Sequence, residues 1–247
     1  MKAIILAAGY ATRLYPLTLN KPKALLPVNN KPIMDYIVEQ INTLEAVDFI
    51  YVVTNDKFAD NFSQWAKNSN SKIPLKVIND GTTNEENRKG AIGDIQFVID
   101  RENIDDDLII IAGDNLFTFK LKDYYDFAMA SGKDCACAKE FSDSTMLNQF
   151  AIALTDEKNK LIDLEEKPQN PKSNLVVYAN YIYKKETLPL IRQYLNEGNT
   201  PDAPGFFLQW LYKKHDVYIY KINGECFDIG THKSYEQVQK IFSGDKF

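Results

Sequence analysis

Residues 3–32 read AIILAAGYATRLYPLTLNKPKALLPVNNKP, and this stretch decides what kind of sheet the chain can build. It opens with a short apolar run at residues 3–6, which predicts a buried strand. Small residues follow that run at once, so the main chain there can come close to a ligand. A strand that runs into such a loop is typical of the ligand-binding edge of an α/β sheet.

The loop itself carries groups suited to a polyphosphate. Just after Leu6, the small residues Ala8 and Gly9 let main-chain N–H groups point at phosphate oxygens. Arg13 adds a forked cation, and Lys23 lies in a proline-braced segment that limits its freedom. Taken singly, such a turn is more often a tight connection, and a loop lysine is more often a solvated charge. The fingerprints GxxxxGK[ST] and GxGxxG are both missing from the sequence, and the second absence disfavours a nicotinamide oxidoreductase.

Up to about residue 120, apolar runs alternate with helical patterns. The predicted strands are at residues 48–54, 75–78 and 108–112, and the predicted helices are at residues 33–44, 58–68 and 90–100. This β-α-β alternation with continuous apolar strands predicts a Rossmann-like α/β fold, with a mixed, mostly parallel central sheet flanked by helices.

After residue 120 the spacing changes, and strands follow one another with fewer helices between them. Added antiparallel or mixed strands are predicted at residues 134–139, 149–154, 161–165, 176–183 and 217–222, and helices at residues 186–196, 206–214 and 234–242. Because no linker or repeat interrupts the chain, we predict one domain over residues 1–247 with two functional halves that meet near residue 120.

Composition and charge limit the classes of partner. The 247 residues are 45% hydrophobic and 26% charged, which is enough for a core without disulfides. The formal charge of -5 argues against nucleic acid as a partner, and no run approaches the roughly 20 apolar residues of a membrane span. Cys135, Cys137 and Cys226 match no zinc or disulfide pattern, so we expect reduced thiols in a cytoplasmic protein. The sequence leaves open whether the chain forms a homo-oligomer.

The opening stretch resembles the signature of the sugar-1-phosphate nucleotidyltransferases (nucleotide-sugar pyrophosphorylases), roughly LAAGxGTRLxPLT…PKxLLPV…KP, in the style of the glucose-1-phosphate thymidylyltransferases. The resemblance implies that this loop and the half at about residues 1–120 bind the nucleotide. It implies that Arg13 contacts the phosphates and that Lys23 binds near the reacting phosphate. Ala11 replaces the second glycine of the signature, and it would be strained if the backbone there had a positive φ.

Two aspartates match further elements of the family. Asp114 follows the predicted strand at residues 108–112, and Asp228 lies in the string CFDIGT. Taken alone, each is as readily a cap or turn residue. The resemblance implies that both hold Mg²⁺, which takes oxygen ligands, usually one or two carboxylates plus phosphate and water. It also makes Asp114 a catalytic candidate beside Arg13 and Lys23.

The half at about residues 121–247 is implied to bind the sugar phosphate. The string LEEKP ending at Pro168 resembles an EEKP element, which implies that Glu166 contacts sugar hydroxyls and Lys167 the sugar phosphate. A charge cluster in an exposed loop is the ordinary interpretation. The string VVYANYIY aligns with a strand that carries sugar contacts in the family, and the resemblance makes Asn180 a further candidate contact to the sugar phosphate. Ala179 and Asn180 replace a commoner Gly-Leu pair, so the acceptor is left open.

The segment expected to read the base departs most from the family pattern. It runs VINDGTTNEENRKGAIGD over residues 77–94. Asn79 and Gly81 are candidate base contacts, and Arg88 is a candidate phosphate or base partner. The same polar run also fits a solvated loop before a helix, so the base is not specified.

The sequence therefore predicts a Mg²⁺-dependent enzyme that joins a nucleoside triphosphate to a sugar 1-phosphate and releases pyrophosphate. The first expectation is dTTP or UTP with glucose 1-phosphate. One alternative is a cytidylyltransferase that uses CTP with a sugar phosphate or a phosphocholine-like alcohol phosphate. Another is a non-catalytic nucleotide-sugar sensor, although such a protein would have no need to keep Lys23, Asp114 and Asp228.

Overall fold

A computed structural model gives the structure of residues 1–142 and 144–242. In chain order the strands of this part are β1 (Lys2–Leu6), β2 (Pro27–Val28), β3 (Lys31–Pro32), β4 (Phe49–Thr54), β5 (Leu75–Asn79), β6 (Leu108–Ala112), β7 (Asn115–Phe117), β8 (Asp134–Glu140), β9 (Ala151–Thr155), β10 (Leu161–Glu166), β11 (Leu175–Tyr183), β12 (Val217–Lys221) and β13 (Cys226–Asp228). The helices are α1 (Ile33–Ile41), α2 (Ala59–Lys67), α3 (Ala91–Glu102), α4 (Leu121–Ser131), α5 (Leu188–Asn196), α6 (Pro204–Leu211) and α7 (His232–Phe242). Among the helices of residues 1–142 and 144–242, none combines the length and the apolar composition of a membrane span.

Each predicted strand and helix is present, and its ends lie within three residues of the prediction. Helix α1 stops at Ile41 because the next residues form turns, in which Leu44 N–H donates to the Ile41 carbonyl (2.9 Å). Helix α4 was not predicted. Its residues Leu121, Tyr124 and Ala128 recur at helical spacing and are fully buried (0% exposed).

The chain divides into two compact units that alternate along the sequence. The N-terminal unit consists of residues 2–88, residues 111–121 and the segment from Gly224 onward, and the central unit consists of Met1, residues 89–110 and residues 122–223. The units are therefore not consecutive halves of the chain. The functional division near residue 120 stays a prediction.

In the N-terminal unit, parallel strands bring several loops to one edge. β4 pairs in parallel with β1 and with β5, so that Leu6 lies opposite Val53 and Val53 lies opposite Ile78. The strands form because their residues are β-branched or large and apolar, and Ile4, Ile5 and Val53 are fully buried (0% exposed). The loop after β1 and the segment after β5 consequently leave the sheet at the same edge.

A two-stranded antiparallel ribbon completes this unit. β13 pairs with β7 in a register that places Asp228 opposite Asn115. Both strands are only three residues long, which is too short for a periodic signal in the sequence. Helix α7 follows the ribbon, and the side chains of Tyr235 and Gln239 donate to the Pro27 carbonyl (2.6 and 2.5 Å).

The central unit is built on mixed strand pairing. β11 pairs antiparallel with β8 and with β9, β10 pairs antiparallel with β9, and β12 pairs in parallel with β8. The register of β11 against β8 shifts between Tyr178 and Tyr181, and Asn180 lies in this irregular stretch. Helix α6 packs against β10 and places Phe207 and Leu208 in the core, where both are fully buried (0% exposed).

Candidate active site

A cleft of about 270 Å³ opens at the carboxyl end of β1 in the N-terminal unit. Its volume is close to the lower end, about 300 Å³, of typical small-molecule sites. The walls come from the loop after β1, the turn that carries Lys23, the chain that leaves β6, and the polar loop that follows β5. Residues on these walls include Leu6, Gly9, Tyr10, Ala11, Thr12, Arg13, Lys23, Glu85, Arg88, Gly113 and Asp114.

The loop after β1 contains a left-handed residue that is not glycine. Ala11 has φ 51° and ψ 41°, so the strain expected for an alanine at this position is present. Its carbonyl accepts hydrogen bonds from the Leu14 N–H (3.0 Å) and the Thr18 hydroxyl (2.8 Å). The short 3₁₀ turn Thr12–Leu14 buries Leu14 and leaves Arg13 exposed on the cleft.

Lys23 begins a second 3₁₀ turn, Lys23–Leu25, which follows an extended proline at position 22. Leu25 and Leu26 are buried behind it, and the Leu26 N–H donates to the Lys23 carbonyl (2.9 Å). The Lys23 side chain is only 17% exposed, and its ammonium pairs with Asp114 Oδ2. This lysine is therefore a held cation rather than a solvated surface charge.

Asp114 reaches Lys23 because Gly113 has no side chain. The Gly113 N–H donates to the Leu6 carbonyl (2.8 Å). A Cβ atom at Gly113 would lie 3.0 Å from the Leu6 carbonyl oxygen and 3.4 Å from Ala24 Cβ. A side chain at position 113 would therefore crowd β1 and the Lys23 turn, and glycine avoids this crowding.

Asp228 is brought to Asp114 by the β7–β13 ribbon. It lies opposite Asn115, the next residue after Asp114, and the Ile229 N–H approaches the Asp114 carbonyl (3.4 Å). Asp228 is accessible to solvent, yet protein atoms crowd its carboxylate. This desolvation raises the pKa of Asp228, and the charge of Asp114 raises it further, while Lys23 and Arg13 oppose both effects.

The Arg13 guanidinium and the Asp228 carboxylate both lie beside Gly230, and the charge of Arg13 lowers the pKa of Asp228. A Cβ atom at Gly230 would lie 3.7 Å from Arg13 Nη2 and 3.8 Å from Asp228 Oδ1. His232 Nε2 lies 2.8 Å from the Tyr15 carbonyl oxygen, so the start of α7 is tied to the loop after β1. Arg13, Lys23 and Asp114 line the cleft, and Asp228 lies beside Asp114 although it is not among the lining residues.

The two carboxylates form a donor set that fits Mg²⁺. In the described residues, no group of three or more His, Cys, Asp or Glu side chains forms a closed metal site. Mg²⁺ commonly needs only one or two carboxylates and completes its shell with water and substrate phosphates. Asp114 and Asp228 provide hard oxygens beside a cleft with cationic walls, and a metal ion would relieve their mutual repulsion.

The predicted nucleotide residues separate into two groups. Leu6, Gly9 and Arg88 line the cleft, whereas Ala8, Asn79 and Gly81 are not among the lining residues found. The Asn79 amide is used locally, because it donates to Asp56 Oδ1 (2.8 Å) and accepts from the Gly81 N–H (2.8 Å). The Ala8 carbonyl accepts from Asn55 Nδ2 (2.8 Å).

Three lining residues with polar side chains, Tyr10, Thr12 and Glu85, are not among the candidates from the sequence. Tyr10 and Thr12 stand inside the opening motif, and their position in that loop was the available signal. Glu85 accepts a hydrogen bond from the Thr12 hydroxyl (3.3 Å), which holds the polar loop at the cleft. A glutamate within a run of polar residues offers no pattern that would have identified it.

The candidate acceptor residues belong to the central unit. Glu166 ends β10, its side chain is 7% exposed, and its N–H donates to Gln209 Oε1 (2.9 Å). Burial raises the pKa of Glu166, and Lys167 opposes this effect. Lys167 Nζ lies 3.9 Å from Glu166 Oε1, and its backbone is left-handed with φ 52°.

Asn180 lies in the interior of the central unit. It is fully buried (0% exposed), and its carbonyl accepts from the Tyr124 hydroxyl (3.3 Å). Neither its Nδ2 nor its Oδ1 has a hydrogen-bond partner among the described residues. Asn180 therefore lies below the solvent-accessible surface, and its role as a contact to the sugar phosphate stays a prediction.

Comparison with known proteins identifies relatives over nearly the whole chain. A family model described as "Nucleotidyl transferase" matches residues 2–243. A Sulfolobus acidocaldarius protein named "Putative mannose-1-phosphate guanyltransferase" is 34% identical over 96% of this chain and 62% of its own length. UTP–glucose-1-phosphate uridylyltransferase AglF of Haloferax volcanii is 30% identical over 74% of this chain and 72% of its own length. The chain spans between 51% and 62% of the length of the first curated relatives it matches.

A solved structure shows the same fold. A UDP-glucose pyrophosphorylase complexed with UDP-glucose superposes with a TM-score of 0.83 at 19% identity, covering 98% of both chains. The predicted α/β fold, with a mixed, mostly parallel central sheet flanked by helices, is thereby confirmed.

Replacing Ala11 by glycine should stabilise the protein. The left-handed conformation costs an alanine about 1–2 kcal/mol, and glycine removes this cost. Glycine also loses more conformational entropy on folding, which offsets roughly 0.5–1 kcal/mol of the gain. We expect the free energy of unfolding to rise by about 0.5–1 kcal/mol in urea titrations. A variant less stable than the wild-type protein would contradict the strain assigned to Ala11.

Proposed function

Because the chain belongs to the nucleotidyl transferase family, we propose that it joins a nucleoside triphosphate to a sugar 1-phosphate and releases pyrophosphate. The family predicted from the opening motif is thus confirmed. The observation that carries the proposal is the Lys23–Asp114 ion pair, which lies with Arg13 in one cleft and next to the Asp228 carboxylate. A non-catalytic sensor would not require this charge arrangement.

The proposal divides the chain by function near residue 120. Residues 1–120 bind the nucleotide, and this assignment is supported by the cleft, whose lining residues all precede residue 121. Residues 121–247 bind the sugar phosphate through Glu166 and Lys167. Asp228 is the exception, because it belongs to the N-terminal unit and serves the nucleotide site. Free, buried cysteines support a reducing, cytoplasmic location.

The reaction needs no general base. The second pKa of a phosphate monoester is about 6, so an oxygen of the sugar phosphate is already ionised near neutral pH. That oxygen attacks the α-phosphorus of the triphosphate and forms a new P–O bond. The bond from the α-phosphorus to the bridging oxygen breaks, and pyrophosphate leaves with the electron pair.

Catalysis then consists of holding two mutually repelling anions together and stabilising the charge that develops on the leaving group. Arg13 offers several N–H donors to phosphate oxygens, and Lys23 supplies a point charge held by its 3₁₀ turn. Asp114 and Asp228 would hold Mg²⁺, which neutralises polyphosphate charge. The main-chain N–H groups of the small-residue loop add further donors.

For the substrates, we propose UTP or dTTP with glucose 1-phosphate. Support comes from the Haloferax volcanii relative, whose name specifies UTP and glucose 1-phosphate. The Sulfolobus acidocaldarius relative favours a second candidate, GTP with mannose 1-phosphate. CTP with a phosphocholine-like acceptor remains the alternative from the sequence.

Pyrophosphate release with a substrate panel tests the proposed reaction. UTP, dTTP, GTP, CTP and ATP should each be combined with glucose 1-phosphate, mannose 1-phosphate and phosphocholine, with and without Mg²⁺. We expect release with at least one sugar 1-phosphate, dependent on Mg²⁺, and an NDP-sugar in equal amount. Nucleotide-sugar binding without release under every condition would support the sensor instead.

Lys23→Ala and Asp114→Asn should fold normally and lose turnover. Removing one preorganised charged group should lower kcat by about 10²–10³-fold, by analogy with a lost oxyanion donor. Lys21→Ala is the matched control, because Lys21 is an exposed cation two residues away that does not line the cleft. Wild-type kcat in Lys23→Ala, or an equal loss in Lys21→Ala, would remove Lys23 from the mechanism.

A further inference from the structure

Helix α6 passes directly over the Glu166 carboxylate at Gly205. A Cβ atom at Gly205 would lie 1.8 Å from Glu166 Oε2, 2.9 Å from Glu166 Cδ and 3.1 Å from Ala151 Cβ. Glycine destabilises a helix by roughly 0.5–1 kcal/mol relative to alanine. Gly205 is the second residue of α6, so helix formation does not favour it. What glycine provides here is space for the carboxylate.

The same face of α6 also holds the main chain of Glu166. Gln209 stands four residues after Gly205, one helical turn away. Its Oε1 accepts the Glu166 N–H at 2.9 Å. One face of α6 therefore holds the Glu166 main chain through Gln209 and leaves space for the Glu166 carboxylate at Gly205.

Hydrogen bonds hold the main chain on both sides of this contact, at Glu166 and before α6. Glu166 pairs with Ala151 in the β10–β9 ladder, and the next residue donates its N–H to the Phe150 carbonyl (3.0 Å). The chain before α6 is anchored to the start of α3, where the Ile92 N–H donates to the Pro201 carbonyl (2.9 Å). Gly90 permits this approach, since a Cβ atom there would lie 2.6 Å from the Pro201 carbonyl oxygen. A methyl group at position 205 would therefore displace the Glu166 carboxylate.

That carboxylate has acceptor capacity to spare. Among the described residues the carboxylate has an ion-pair partner in Lys167 at 3.9 Å, and no hydrogen bond contributes to its pKa. A buried carboxylate is costly unless donors satisfy it, and its two oxygens can accept several hydrogen bonds. Neighbouring hydroxyl groups of a sugar match this requirement, whereas the choline group of phosphocholine has no O–H to donate.

We propose that Gly205 and Gln209 are positioning residues of the acceptor site, which keep the Glu166 carboxylate aimed at sugar hydroxyls and so select a hydroxyl-rich acceptor. This inference rests on the proposed function. Gln209 acts on the main chain of Glu166, and Gly205 acts by leaving its side chain undisturbed.

Gly205→Ala should weaken acceptor recognition specifically. We expect the KM for the sugar 1-phosphate to rise about 10–100-fold, the size of effect expected for a lost hydrogen bond to a charged group. The KM for the nucleoside triphosphate should stay within about twofold of the wild-type value. The Tm should stay close to the wild-type value, because the nearest atoms to the new methyl group belong to the end of the flexible Glu166 side chain and not to main chain. A lower Tm with both KM values raised would show a general packing defect and overturn the proposal.

A double-mutant cycle with Glu166→Ala tests whether Gly205 acts through the carboxylate. If it does, Gly205→Ala should add less than about twofold to the sugar KM once the Glu166 side chain is removed. Equal effects of Gly205→Ala in both backgrounds would overturn the proposal. Gln209→Ala should raise the same KM, and wild-type KM in that variant would remove Gln209 from the assignment.

Calorimetric binding separates this inference from the proposed function. Glucose 1-phosphate and mannose 1-phosphate are titrated into protein that holds an α,β-methylene triphosphate analogue, which cannot react. If the enzyme is inactive but binds a sugar 1-phosphate, and Gly205→Ala weakens that binding, the positioning role stands and the proposed reaction fails. If Gly205→Ala binds as tightly as wild type, the positioning role fails alone. Wild-type protein that binds neither sugar phosphate overturns both.

Discussion

Two carboxylates of like charge, Asp114 and Asp228, are held side by side, and the rest of the site depends on this placement. The β7–β13 ribbon imposes it by main-chain pairing, so the repulsion cannot be relieved by letting the strands drift apart. Desolvation raises the pKa of Asp228, the negative charge of Asp114 raises it further, and Lys23 and Arg13 partly offset both effects. A cation that binds both carboxylates, and a polyphosphate that binds the two positive side chains, would satisfy all four groups together.

The surrounding backbone is adapted to this arrangement at single residues. Gly113 lets the chain carrying Asp114 pass beside β1 without crowding the Leu6 carbonyl. Ala11 holds a left-handed conformation that costs free energy, which is the kind of strain that folded proteins retain at functional sites. In the central unit, Gly205 plays a comparable steric role for the Glu166 carboxylate. Small residues thus decide where the charged groups can lie.

The sequence predicts those helices and strands whose apolar residues recur at regular spacing. The continuous apolar strands β1, β4 and β5 and the helical spacing of α1 were identifiable, whereas the three-residue strands of the ribbon had no periodic signal. Asp228 was found by resemblance, because its partner lies more than a hundred residues away in sequence. The predicted helix at residues 206–214 began one residue too late to include Gly205, so the contact with Glu166 could not be foreseen. The hydrogen bonds of the Asn79 side chain with Asp56 and with the Gly81 N–H likewise leave no pattern in the sequence.

A crystal structure with a bound nucleoside triphosphate and Mn²⁺ in place of Mg²⁺ tests the central claim most directly. Mn²⁺ scatters anomalously, so its position can be located independently of the phosphates. We predict an anomalous peak in coordination distance of both Asp114 and Asp228, with the triphosphate bound against Arg13 and Lys23. A triphosphate bound elsewhere, or a metal ion that contacts neither carboxylate, would contradict it.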